Sequence, residues 1–266
     1  MTYENLLYDR QDHVAVVTLN RPERLNALSR GLQQDFLAVL AEARADDSVW
    51  SVIITGAGRG FCSGADISGP PPAGEQRTVT QNERLDEWSW VGRQAMAIYH
   101  FDKPTIAAMN GVCAGAGMSM ALGCDLRVGS ENARFRSVFL ERNLSPDSGM
   151  SWFMPRIIGY SRAIDLILTS RDVNADEAYR LGLLDRLVPA EKLMDESLAL
   201  ANQFGQHPPI AVRAAKRVTQ QNLNKNLEDG LRNELYHLGF GRSAPNDAKE
   251  SRDARAERRK PNYTGT

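Results

Sequence analysis

The chain has 266 residues, 42% hydrophobic and 24% charged, an ordinary balance that excludes a collagen-like or wholly disordered protein. At this length roughly three quarters of the unfolded surface is expected to be buried, so the core needs no disulfides. Lys plus Arg total 32 against 33 Asp plus Glu, a net charge of -1; this lacks the broad positive field of nucleic-acid binding and leaves room for a local basic patch around a polyanion.

The opening MTYENLLYDRQDH is acidic and polar, with neither a signal-peptide core nor an Arg-rich transit character. HVAVVTL (13–19) is rich in β-branched residues and predicts a strand, followed by the loop RPERLNALS (21–29). From 31 to 44, Leu32, Phe36, Val39, Leu40 and Ala43 follow helical spacing, with Ser29 as N-cap. The apolar run WSVIIT (50–55) predicts a strand covered on both faces, and TIAAM (105–109) and DLRVGS (125–130) repeat that character. GPPPAG (69–74) predicts a mobile surface loop leading into a helix over 82–101. Further helices are expected at 162–170, 175–181, 191–206 and 210–222, with Pro208-Pro209 between the last two. The mixed-charge run DAKESRDARAERRK (247–260) predicts a solvated or partner-facing helix. Strands separated by helices imply crossover connections and a mainly parallel sheet, hence an α/β fold.

Three cysteines, Cys62, Cys113 and Cys124, cannot all pair and form no C-x-x-C motif, so a reducing, cytoplasmic compartment is expected. The 21 residues 104–124 carry no charge, enough to span a bilayer, yet they hold four glycines and Asn110 and few large apolar side chains. They predict a buried, closely packed element, and no membrane partner. No cluster has the spacing of a metal site.

Two glycine-rich loops follow strands. In ITGAGRGFCSGADI (54–67), Gly56 and Gly58 invite a dinucleotide fingerprint, but the third glycine position is Phe61 and no helix signal starts there. In NGVCAGAGMSMALGCD (110–125), Gly115 and Gly117 flank Ala116, and an apolar helix begins about Met118. Amides at a fresh helix start lack intrahelical partners and carry the positive end of the dipole, and small residues admit a ligand oxygen. The same features recur near Gly64 and Ala65, so together the loops offer a two-donor cavity for an anionic oxygen. Tight turns and close packing explain the same glycines, and both readings stay open on the residues alone.

RPERLNALS (21–29), GRGFCSGADI (58–67), NGVCAGAGMSMALGCD (110–125), LSPDSGMSWFMPRIIG (144–159) and DVNADEAYRLGLLDRLVP (172–189) resemble, in order and spacing, the crotonase or enoyl-CoA hydratase/isomerase superfamily. The resemblance runs over nearly the whole chain, less one-for-one at RAERRKPNY (255–263). It implies a crotonase-like (ClpP/crotonase) ββα spiral core over 1–200, holding the CoA and oxyanion sites, and a helical oligomerisation region over 201–266. It also implies a homotrimer or dimer of trimers acting on acyl-CoA. Coenzyme A is then part of the substrate, and no separate cofactor is expected.

By the same resemblance, the backbone amides of Ala65 and Ala116 bind the thioester oxygen, and Arg24, Leu25, Ala27, Ser63, Asp66 and Ile67 contact the adenine and pantetheine. Asp66 is equally suited to capping a loop. Departures bear on the chemistry. The two glutamates that direct water in a standard hydratase correspond to Ser119 and Phe139, and a phenyl ring cannot transfer a proton. Asp147 instead stands where the standard hydratase has glycine, as in superfamily branches that include the isomerase of the phenylacetyl-CoA pathway and a dehalogenase of aromatic acyl-CoA. A lone carboxylate in an apolar pocket should have a raised pKa and shuttle one proton, so Asp147 is the candidate acid/base; the alternative is that it caps the following helix. Arg255 replaces a pocket-covering phenylalanine, and Arg258 a phosphate-binding lysine.

Lesser candidates are Glu141, expected to face solvent or a neighbour; Cys62 and Cys113, with no histidine adjacent; His100, expected to close a helix; and Trp88 and Trp90, lining an acyl channel or filling the core. The expected activity is a double-bond shift in an enoyl-CoA. Hydration, thioester hydrolysis or dehalogenation, and a non-catalytic CoA-binding assembly role are the rivals.

Overall fold

A computed structural model describes residues 2–68 and 80–266, so the surface loop expected at 69–74 lies outside the described residues. Strands β1 (Leu6–Gln11) and β2 (Val14–Leu19) form an antiparallel hairpin, with Asp12 at φ 51° in the left-handed turn position that short polar residues tolerate. β2 then pairs parallel with β3 (Ser51–Gly56), β3 with β5 (Thr105–Met109), β5 with β7 (Leu126–Ser130), and β7 with β10 (Arg186–Val188). A second, smaller sheet runs in the order β4 (Gly60–Cys62), β6 (Val112–Ala114), β8 (Arg134–Arg136) and β9 (Val173–Asn174), the last pair antiparallel.

Three times a strand of the first sheet leads into a short strand of the second and then into helix. β3 and β4 precede α2 (Gln81–Arg84) and α3 (Ser89–Tyr99); β5 and β6 precede α4 (Gly115–Gly123); β7 and β8 precede α5 (Met150–Ile158). This repeated ββα turn is the spiral core. The alternation along the first sheet explains it: Ala15, Val17, Val52, Ile54, Ala107 and Met109 face the main core, which also takes α1 (Arg30–Ala45). Val14, Val16, Ile53, Ile106 and Val128 face the other way, onto Leu193, Leu200 and Ala201 of α8 (Leu193–Phe204). Helices α6 (Tyr160–Thr169) and α7 (Ala175–Leu181) close the core. α9 (Pro209–Asn222), α10 (Leu227–Gly241) and α11 (Pro245–Glu257) complete the chain. Lys216 of α9 ties that region to the sheet through the Lys103 carbonyl (2.9 Å) and the Asp125 carboxylate (2.6 Å).

Several elements differ from expectation. The helix expected over 82–101 is broken into α2 and α3, because Asp86 accepts the Trp88 N–H at 3.1 Å in a local turn that competes with helix. The polar opening contains the edge strand β1, whose charged Asp9 and Arg10 suit an exposed sheet edge. The helix expected after Pro146 is α5, which begins at Met150 and runs through Pro155. The helix expected over 191–206 begins as a 3₁₀ turn at Ala190–Lys192, and that expected over 247–260 ends at Glu257. The uncharged stretch 104–124 is β5, β6 and the wholly buried α4, and no helix among the described residues is long and apolar enough to cross a membrane.

Candidate active site

The site is built where β4 and β6 deliver their chain ends side by side. After β4 the backbone turns at Gly64, φ 97°, where a Cβ would lie 2.9 Å from the Ala114 carbonyl oxygen and 3.6 Å from the Ala116 nitrogen. Only a residue without a side chain lets the two loops approach this closely. Leu28 donates its N–H to Gly64 (2.8 Å) and accepts from the Asp66 N–H (3.2 Å), so the Ala65 amide between them faces away from Leu28. Ala65 lies in an exposed bridge, not at the helix start its sequence suggested. Ala116 is the second residue of α4, and no side chain caps that helix, so its N–H keeps the free donor of a helix N-terminus. Gly117 is as constrained as Gly64: a Cβ there would stand 2.4 Å from the Cys62 carbonyl oxygen.

One turn into α4, the buried Ser119 hydroxyl lies 3.1 Å from the Asp147 carbonyl oxygen and 3.3 Å from that of Gly115. It therefore ties the loop 144–149 to the helix that carries Ala116. The Asp147 carboxylate accepts from the Ser148 hydroxyl at 2.9 Å. Burial pushes its pKa above the ordinary carboxylate value, and the Ser148 bond offsets part of that rise. Asp147 does not cap α5 with its side chain; Gly149, at φ 87°, occupies the N-cap and no side-chain bond is made there. Phe139 is buried in the main core.

The residues expected around the CoA moiety come together beside Ala65. Ser63 donates its N–H to the Leu25 carbonyl (3.0 Å) and its hydroxyl to that of Arg24 (3.3 Å), which sets 24–27 against 63–67. Asp66 pairs with Arg21 at 2.8 Å and accepts from the Ser68 N–H and hydroxyl; chiefly these Ser68 bonds hold its pKa down to about 2. Its side chain thus fastens the loop. Arg24 and Ile67 are exposed, Leu25 is half-buried, and Ala27 is buried. Two residues in the quoted motifs went unassigned. Asn26, fully buried, bonds the carbonyls of Ala57 (3.0 Å) and Gly60 (2.7 Å), and Asn110 reaches those of Gly56 (2.8 Å) and Gly58 (2.9 Å). An asparagine amide suits such glycine turns because it can donate to two carbonyls at once; Asn110, directly before Gly111, carried a local signal, whereas Asn26 has no glycine run beside it.

A cavity of about 710 Å³ opens beside Ala65, between α1 and α2–α3; Leu28, Leu37, Trp90 and Gln94 are among its walls. Trp90 also packs on the core, whereas Trp88 is 55% exposed. Arg255 and Arg258 sit exposed at the end of α11, and neither lines this cavity. Glu141 is exposed and pairs with Arg136 at 2.9 Å, and His100 is the exposed C-cap of α3. The cysteines are buried free thiols; burial pushes Cys62 and Cys124 up to about 12 and Cys113 well above the ordinary thiol value, which disfavours all three as nucleophiles at neutral pH. Among the described residues no group of His, Cys, Asp or Glu could hold a metal ion.

Residues 9–266 match the family model described as enoyl-CoA hydratase/isomerase. The chain belongs to the enoyl-CoA hydratase/isomerase family. It is 34% identical to a probable enoyl-CoA hydratase of Mycobacterium bovis, over 99% of this chain and 99% of that protein. A probable enoyl-CoA hydratase/isomerase from Mycobacterium abscessus has a similar crystal structure, with a TM-score of 0.86, 36% identity, and coverage of 97% of this chain and 98% of that one. A monofunctional enoyl-CoA isomerase from M. smegmatis matches at a TM-score of 0.73 and 35% identity, over 85% of this chain and 98% of the other. Relatives of this hydratase/isomerase family enzyme thus carry both reaction names, and its crotonase-type α/β fold is theirs.

Proposed function

We propose that this family member shifts a double bond in an enoyl-CoA, with Asp147 as its acid/base. The Ala65 and Ala116 amides would hold the thioester oxygen. The Asp147 carboxylate takes a proton from the carbon between the thioester and a 3,4 double bond. The electron pair left behind spreads into a dienolate whose charge rests on the held oxygen. The protonated Asp147 then returns the proton to the γ carbon, leaving the 2-enoyl thioester and the original carboxylate. A carboxylate whose pKa is raised by burial is a stronger base than a solvated one, which suits the first half, and as a carboxylic acid it still gives the proton up in the second.

The observation that carries this reading is the set of side chains at the acid/base positions: a half-buried carboxyl at Asp147, a hydroxyl already engaged at Ser119, and a core phenyl at Phe139. The names of the relatives favour hydration as the second reading, in which Asp147 alone would direct a water. Incubation with 2-enoyl-CoA and 3-enoyl-CoA, followed at the conjugated thioester absorbance, separates the two. Isomerisation predicts a gain from the 3-enoyl substrate; loss of absorbance from the 2-enoyl substrate, with no gain from the other, refutes it. Released free CoA or halide would instead indicate thioester cleavage or dehalogenation.

The same reading takes the enzyme to be cytoplasmic, in keeping with three unpaired thiols. It is expected to assemble as a trimer or paired trimers. Leu227, Leu231, Leu235 and Leu238 support assembly, because they form an exposed apolar row along α10 that a neighbouring subunit would cover.

A further inference from the structure

Gln94 is carried by α3 into the wall of the cavity beside Ala65, and it is only 3% exposed. Its amide nitrogen donates to the Ala116 carbonyl at 3.4 Å, and its amide oxygen has no hydrogen-bond partner among the described residues. Exchanging the two ends would set carbonyl oxygen against carbonyl oxygen, so the unpaired group is the acceptor. Buried acceptors are rarely left without a donor, because they lose their water and gain nothing in return. Gln33, Gln34, Ser89 and Arg93 add further polar groups to the same wall. A plain hydrocarbon chain would leave the Gln94 oxygen unsatisfied.

We propose that Gln94 selects the acyl group: its amide oxygen accepts a hydrogen bond from a hydroxyl on the chain, so the preferred substrates are hydroxylated acyl-CoA thioesters. Its bond to Ala116, whose own N–H is a proposed donor to the thioester oxygen, places that hydroxyl within a few carbons of the thioester. The inference rests on the acyl-CoA reading above and names the substrate class within it.

The test is binding, so that it does not depend on which reaction follows. Hexanoyl-CoA and its γ-, δ- and ε-hydroxy derivatives are titrated calorimetrically into wild type and Gln94→Met, with folding of the variant checked by its melting curve. One hydroxylated isomer should bind wild type about ten- to a hundredfold more tightly than hexanoyl-CoA, and Gln94→Met should bring the ratio to within about threefold. Equal binding of all four to wild type overturns the proposal, whatever the variant does, and leaves a water on the Gln94 oxygen. A preference that survives in Gln94→Met overturns it as well. Failure of wild type to bind any of the thioesters overturns the acyl-CoA reading itself, and the proposal with it.

Discussion

Gly64→Ala isolates the contact that joins the two amide-bearing loops. A Cβ at Gly64 would stand 2.9 Å from the Ala114 carbonyl oxygen, a backbone atom that cannot rotate away, so the loop carrying Ala65 must move by several tenths of an ångström. Donors to a developing oxyanion work within a narrow distance range, and losing one costs about 2.7–4 kcal/mol, or roughly a hundred- to a thousandfold in kcat. The alanine also adopts a positive φ, at about 1–2 kcal/mol, which lowers the melting temperature by about 2–8 °C in a chain of this size. Gly182→Ala separates the two effects. Gly182 has a similar φ of 89°, but a Cβ there meets nothing within 4 Å, so this variant should lose the same stability and keep its turnover. Turnover of 3-enoyl-CoA at 25 °C, with calorimetric melting of both variants, provides the comparison. A Gly64→Ala enzyme that turns over as fast as Gly182→Ala would refute the view that Ala65 and Ala116 act together.

Asp147→Asn should lower kcat by about a hundred- to ten-thousandfold while making the protein more stable than wild type at pH 7. Its carboxyl pKa is raised in the fold, so the group's contribution to stability is complete below the ordinary carboxylate value and is lost as pH rises through the raised one. Wild type and variant should therefore differ in melting temperature at neutral pH and converge in acid; a variant less stable at neutral pH contradicts this account. Lys103→Met tests the core rather than the chemistry. The buried Lys103 ammonium bonds the carbonyls of Ala43 and Asp46, 2.7 Å each, at the C-terminal end of α1. Removing two such charge-assisted bonds should cost about 2–4 kcal/mol and lower the melting temperature by roughly 5–15 °C, and an unchanged melting curve would show that water replaces the ammonium.

The central parallel strands were legible because burial on both faces leaves continuous apolar runs such as SVIIT and TIAAM, which tolerate no other placement. The short strands of the second sheet were not. Gly60–Cys62 and Arg134–Arg136 are three residues each, too few for a period to show, and they exist because parallel neighbours supply their hydrogen bonds. α10 was missed for a different reason. Its leucines lie on an exposed row that faces no part of its own chain, so the stripe pointed to no core.

At the site, legibility tracked how strongly the backbone constrains each residue. Gly64 and Gly117 announce themselves because only glycine fits where two main chains nearly touch, whereas Gln94 sits in mid-helix with nothing but its burial to mark it. Ser119 shows why a departure from a family pattern is not simply a vacancy. On the same helix that begins at Gly115 and presents the Ala116 amide, its hydroxyl reaches across to the Asp147 carbonyl. In the proposed reaction the oxygen held at Ala116 and the proton held at Asp147 must keep a fixed separation while charge moves between the α and γ carbons. A serine at this position supplies that link at the cost of a general base. One carboxylate with an anchored backbone meets the needs of a proton returned to the same molecule, whereas activating a water calls for a second group to orient it.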